Sequence, residues 1–177
     1  VRPAGGAVAC RGRGPYAGNH AYAQCTCGEL VAAADAVARG LIARGVQPGD
    51  RLALMVRPGV ELVSLVFGLL RSGATMVLID PGMGIGRLLT CLAKVDVDGF
   101  VAVGAVQAAR RLLKRRFPKS RYHVTVGQRW FWGGQTYEEL LHIGTESADT
   151  LPVTLAEDPA AIIFTSGSTG PPKGVVY

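Results

Sequence analysis

The sequence predicts an α/β fold built on a mainly parallel sheet with flanking helices. Short apolar runs begin at Arg51 (RLALMV), Ala74 (ATMVLI), Gly99 (GFVAV) and Tyr122 (YHVTV), each bounded by Gly, Pro or Asp. Stretches of helical character separate them, at 60–72, 86–94 and 106–116. Strands alternating with helices in this way are the pattern of βαβ units. The runs also lack an apolar–polar alternation, as expected of strands buried on both faces.

Taken in order, residues 1–27 are rich in Gly, Ala and Arg, show no period, and are read as a poorly defined lead. Thr26 and Glu29 have capping-box spacing, so a helix is expected from there. Leu30, Val31, Ala34, Val37, Ala38, Leu41 and Ile42 follow at helical spacing, and Gly45 suits a left-handed stop. QPGD at 47–50 is a turn. The strand–helix alternation then runs to Val126, and residues 28–177 are read as part of one domain. RWFWGG at 129–134 is read as a hydrophobic anchor for a loop. A polar linker, GTESADTLPVTLAEDP, leads to a fully apolar strand, AAIIF.

Totals limit the function. The chain has 177 residues, 49% of them hydrophobic, enough for one domain with a real core and inconsistent with disorder. No apolar run approaches the roughly 20 residues of a membrane span, and the longest, Val60 to Leu70, carries Glu61 and Ser64. Without the apolar core of a secretory signal at the start, the expected compartment is the cytoplasm. Cys10, His20, Cys25 and Cys27 invite a zinc reading, but Cys-x-Cys is not a strong zinc spacing, and reduced thiols are expected. The net charge is +6, and seven of the 19 Lys and Arg residues fall in RRLLKRRFPKSR, Arg110 to Arg121. Such a run suits nucleic acid or an anionic surface. Its single aromatic residue, Phe117, is not the interleaved set that stacking platforms require, so it is read as a solvated helix face with Leu112, Leu113 and Phe117 turned inward, and no nucleic-acid partner is expected. A non-catalytic anion-binding module using this basic face is the rival to any enzymatic reading.

The chemistry is concentrated at the end, in IIFTSGSTGPPKGVVY. Thr165, Ser166, Ser168 and Thr169 supply hydroxyls, and Gly167, Gly170 and Gly174 let backbone come close to a ligand. Successive backbone N–H groups in such a turn suit an anion, and Lys173 adds a full charge. No nucleophile stands beside a base, and no metal cage is formed; the chemical fit is a polyphosphate. The loop is not the G-x-x-x-x-G-K-[ST] phosphate loop. Pro172 stands where a glycine is needed and Gly174 where Ser or Thr should hold magnesium. Pro171 and Pro172 oppose a helix, and GVVY has strand character. The loop is therefore expected to join two strands. PGMGIG at 81–86 places Gly82 and Gly84 as a dinucleotide-binding loop would, but Arg87 breaks that pattern; it reads as a turn before a helix.

FTSGSTGPPKGVVY resembles the phosphate-binding signature of the AMP-forming adenylating enzymes, the superfamily of acyl-CoA synthetases and peptide-synthetase adenylation domains. GELVAAADAVARGLIARGVQPGDRLALMV and FGLLRSGATMVLIDP resemble the early helices and strands of their large domain. Within the superfamily, IDPGMG and RWFWGG are most similar to the olefin β-lactone synthetases, and a long-chain acyl-CoA synthetase is the alternative. The resemblance implies that Thr165, Ser166, Gly167, Ser168, Thr169, Gly170, Lys173 and Gly174 bind the phosphates of ATP, with Lys173 catalytic. A long-chain acid, of the 2-alkyl-3-hydroxy class, would become an acyl-AMP with loss of pyrophosphate, and then a β-lactone. It also implies a magnesium ligand after Tyr177 and, as partners, enzymes of a hydrocarbon pathway. The chain opens on Val1 and stops inside the motif's second apolar run, so it is read as a piece of a longer protein, inactive alone.

Overall fold

The computed structural model describes residues 8–13, 22–165 and 173–177. A small ribbon comes first, β1 (Val8–Arg13) paired antiparallel with β2 (Tyr22–Thr26). The stretch read as a lead without period thus contributes strands of its own. Helix α1 (Cys27–Ala43) follows without a break. Then come β3 (Arg51–Met55), α2 (Val60–Arg71), β4 (Thr75–Ile79), α3 (Ile85–Val95), β5 (Gly99–Val103) and α4 (Gly104–Leu112). The remainder is β6 (Tyr122–Val126), β7 (Gln135–Thr136), α5 (Tyr137–Glu146), β8 (Ala161–Thr165) and β9 (Lys173–Val176).

Among the described residues, strands β3 to β9 form one sheet in the order β7-β6-β5-β3-β4-β8-β9. Every neighbouring pair is parallel except β8 with β9, which is antiparallel. The four expected strands are there, and their unbroken apolar character has the expected cause. Leu52 and Leu54 face a core built on α1, α2 and α5, with Val37, Leu41, Leu65, Leu69 and Leu140. Ala53 between them faces a second core on α3 and α4, with Leu92, Val95, Phe100 and Phe117. Burial of both faces removes the need for polar residues on either.

The capping box at the head of α1 is complete. Glu29 N–H donates to Thr26 Oγ1 at 3.2 Å, and Thr26 N–H donates to Glu29 Oε2 at 2.7 Å. Gly45, at φ 91°, takes the left-handed stop. An equal box, Thr136 with Glu139, starts α5. Helices α1 and α5 then pack almost backbone to backbone. A Cβ placed on Gly144 would overlap the Ala36 carbonyl oxygen and lie 2.6 Å from its carbon and 2.8 Å from Gly40 N.

The basic run departs from its expected form. Leu112 is 79% exposed, whereas Arg110 is only 8% exposed; Leu113 and Phe117 do face inward. Arg110 is enclosed by neutral acceptors. Its Nε donates to Gln107 Oε1 at 2.9 Å, and its Nη2 to the Trp132 carbonyl at 3.2 Å. Its Nη1 meets His123 Nε2 at 2.9 Å. Gln107 in turn donates to the carbonyls of Phe100 and Val124. This network ties α4 to β5, β6 and the RWFWGG loop.

Candidate functional site

Parallel strands deliver all their following loops to one edge of the sheet, and in open α/β sheets ligands bind at that carboxyl edge. The loops after β3, β4, β5 and β6 lie there, and β8 ends there at Thr165. Strand β8 is bonded on both sides before it reaches the edge. It pairs with β4 through Met76–Ala161 to Ile79–Phe164, and Thr75 Oγ1 donates to the Pro159 carbonyl at 2.9 Å. On its other side the register with β9 runs Ile162–Val176, Ile163–Val175, Phe164–Gly174 and Thr165–Lys173. At the base, Tyr177 N–H donates to the Ala161 carbonyl at 2.9 Å.

This register sets the two ends of the hydroxyl-and-glycine loop face to face. Thr165 ends one strand and Lys173 begins the other, directly opposite. The loop therefore leaves and re-enters a hairpin, and no helix follows it, as expected from its prolines. Ser166, Gly167, Ser168, Thr169 and Gly170 lie outside the described residues. Lys173 is exposed, and among the described residues it makes no ion pair. Gly174 sits within β9, and the space its missing side chain leaves is filled by Phe164. A Cβ there would lie 2.9 Å from Phe164 Cζ, 3.1 Å from Cε1 and 3.2 Å from Ile162 Cγ2. Phe164 is itself 4% exposed and belongs to the core beneath α3.

An exposed lysine at the mouth of a loop of hydroxyls and backbone N–H groups suits an anionic polyphosphate. The same residues do not suit a metal, because residues 165–174 contain no carboxylate. Asp80, at the end of the neighbouring β4, accepts from Gly82 N–H at 2.8 Å and closes the turn of PGMGIG. That turn, a short 3₁₀ segment at Pro81–Met83, leads into α3 as expected. Among the described residues no group of three or more His, Cys, Asp or Glu side chains is placed to hold a metal ion.

At the other end of the edge, the RWFWGG segment is anchored by Arg129, which pairs with Glu139 of α5, and by Trp132. Trp132 is buried and its indole N–H donates to Thr125 Oγ1 at 3.0 Å, while Trp130 and Phe131 are exposed. The ring of Trp130 stacks on Trp132 at 6.2 Å. Because a guanidinium only donates, His123 Nε2 must accept from Arg110, which puts the imidazole proton on Nδ1. Burial, with the Arg110 charge second, lowers the His123 pKa from 6.5 to about 4. The basic run is correspondingly less of a patch. Arg110 is inside, Lys119 pairs with Asp96 and Arg121 with Asp50.

The profile of the AMP-binding enzymes matches residues 4–177. An olefin beta-lactone synthetase of Xanthomonas campestris pv. campestris is 43% identical over 177 residues, covering 99% of this chain and 32% of that protein. One of Stenotrophomonas maltophilia is 44% identical over 149 residues, 84% of this chain and 27% of that protein. The chain thus spans about a third of the length of these curated relatives. Among solved structures, the adenylation domain of a carboxylate reductase from Mycobacterium chelonae superposes with a TM-score of 0.77 at 21% identity, covering 88% of this chain and 28% of that one. A long-chain-fatty-acid-CoA ligase from Archaeoglobus fulgidus gives 0.75 at 22% identity, covering 92% and 31%. These two likenesses carry the fold alone.

Proposed function

The chain belongs to the AMP-binding enzyme family, and from that premise we propose that it grips the phosphates in an ATP-dependent acid ligase of the β-lactone-forming kind. The observation that carries the proposal is the hairpin frame that sets Lys173 opposite Thr165 across a loop of hydroxyls and glycines. In this reading Thr165 to Gly170, with Gly174, supply hydroxyls and close backbone around the β and γ phosphates of ATP. Lys173 places its charge on the same phosphates. A carboxylate oxygen of the acid attacks the α phosphorus, the bond from that phosphorus to the bridging oxygen breaks, and pyrophosphate leaves with the bonding pair. Lys173 offsets the negative charge that builds on the leaving group, an electrostatic contribution that is largest where water is excluded. Magnesium, when bound, would neutralise further phosphate charge, and its carboxylate ligand comes from outside residues 165–174.

The acid is a long-chain 2-alkyl-3-hydroxy acid, a class supported by 43% identity to an olefin beta-lactone synthetase. Once adenylated, such an acid carries its own nucleophile. The 3-hydroxyl oxygen attacks the acyl carbon, the bond to AMP breaks, and the hydroxyl proton passes to solvent. Holding the two groups together supplies the effective molarity of an intramolecular reaction, so no thiol is required. The product would feed the enzymes of a hydrocarbon-forming pathway in the cytoplasm. No helix among the described residues is long and apolar enough to cross a membrane.

The test uses the full-length protein that carries this sequence. It should exchange labelled pyrophosphate into ATP with a 2-alkyl-3-hydroxy acid, and form AMP and a β-lactone without coenzyme A. Product that appears only with coenzyme A would remove the lactone step and leave adenylation standing. No exchange with any acid would remove both.

A further inference from the structure

Gly174 is a glycine for a reason other than its backbone angles: it lies in an extended strand, outside the left-handed region. What it provides is room. The Phe164 ring, rooted in the core under α3, lies over the Gly174 backbone at the register pair adjoining Thr165–Lys173. β9 is hydrogen-bonded to β8 in the described sheet. An aromatic ring lying over a cross-strand glycine is a known way to pin the register of such a strand.

We propose that Phe164 is a positioning residue that acts through Gly174 to fix Lys173 opposite Thr165, so that the ring, rather than the loop, sets where the lysine charge stands. The proposal rests on the phosphate-binding reading of Lys173 given above. Residues 166–172 lie outside it, because the lever is in the strands. A Cβ at 174 would force the ring away or part the hairpin at the pair next to Lys173. Trimming the ring would accommodate that Cβ and undo the damage.

The experiment is a double-mutant cycle in the full-length protein, with two readouts. In ATP–pyrophosphate exchange, Gly174→Ala should lower kcat/KM for ATP by about 30-fold, chiefly through KM, because the phosphates are bound by a displaced charge. Phe164→Leu alone should lower it by about 5-fold. Phe164→Leu with Gly174→Ala should match Phe164→Leu rather than the product of the two losses. Amide hydrogen exchange over residues 173–176 needs no ATP and should follow the same order, about 10-fold faster in Gly174→Ala and no faster in the double variant than in Phe164→Leu. Losses that multiply, or a Gly174→Ala protein with wild-type KM and wild-type amide protection, would overturn the proposal. If the wild type shows no pyrophosphate exchange, the ligase reading falls with the lysine's role, and amide exchange still decides whether Phe164 pins the hairpin.

Discussion

Replacing Gly144 with alanine sets two effects of opposite sign against each other. Gly144 lies in the last turns of α5, where alanine improves helix propensity by about 1 kcal/mol. Against this, the new Cβ would lie 2.6 Å from the Ala36 carbon and 2.8 Å from Gly40 N, and would overlap the Ala36 oxygen. Ordinary contact begins near 3.4 Å, and relieving the overlap with the Ala36 oxygen requires α1 and α5 to separate by about 1.5 Å or more. No rotamer change relieves this, because all three atoms are backbone. Overpacking of this kind costs about 3 kcal/mol or a little more. The net is a loss of about 2–3 kcal/mol, which in a domain of this size lowers Tm by about 5–10 °C. Thermal unfolding of the 177-residue chain followed by circular dichroism reads it directly. A Tm that rises by a few degrees would mean that propensity won, and that the helices do not approach as closely as described.

Three further outcomes follow from the residues already named. Lys173→Ala in the full-length protein should slow ATP–pyrophosphate exchange about 10²–10³-fold, and exchange at the wild-type rate would remove the lysine from the reaction. His123 is held neutral, with its pKa lowered from 6.5 to about 4, so the unfolded chain binds the proton more readily than the folded one. Its contribution is complete above pH 6.5 and is lost as pH falls toward 4; after allowance for water on its exposed flank it amounts to about 1–2 kcal/mol. Urea midpoints for wild type and His123→Asn across that interval should converge at the acid end, and parallel curves would contradict the assignment. Thr26→Ala should cost about 1 kcal/mol by opening the capping box of α1, read as faster amide exchange at the first turn; unchanged exchange there would show that Thr26 adds nothing.

How far the fold is legible in the sequence depends on where each residue's partners lie. The runs at Leu52–Leu54 and Val77–Ile79 are plain because both their faces are buried, which leaves an unmixed apolar signature. The start of α1 is plain because Thr26 and Glu29 cap each other within four residues. The same signal stands at Thr136 and Glu139, yet α5 is hidden by the aromatic and glycine residues just before it and by its few apolar positions. β7 has two residues, too short for any period to register. Arg110 misleads for a different reason. Its place inside depends on Gln107 one helical turn away and also on His123 and the Trp132 carbonyl, and no local pattern of charge announces these last two acceptors. At the candidate site, Pro171 and Pro172 oppose a helix, and GVVY foretells a strand after the loop. The antiparallel return and the Phe164–Gly174 contact become visible only when the two strands stand side by side.

The partnership of α1 with α5 has a consequence for how the chain is made. The inward face of α1, with Val37 and Leu41, is closed by Leu140 of a helix roughly 100 residues further on. At ordinary rates of synthesis that interval takes about 5–20 s. Throughout it, α1 has α2 and the first strands to lean on but not its second neighbour. A ribosome-bound chain arrested before residue 137 should therefore present an apolar stripe beside Gly40 to any chaperone near the exit tunnel. Release of that chaperone would mark the emergence of α5.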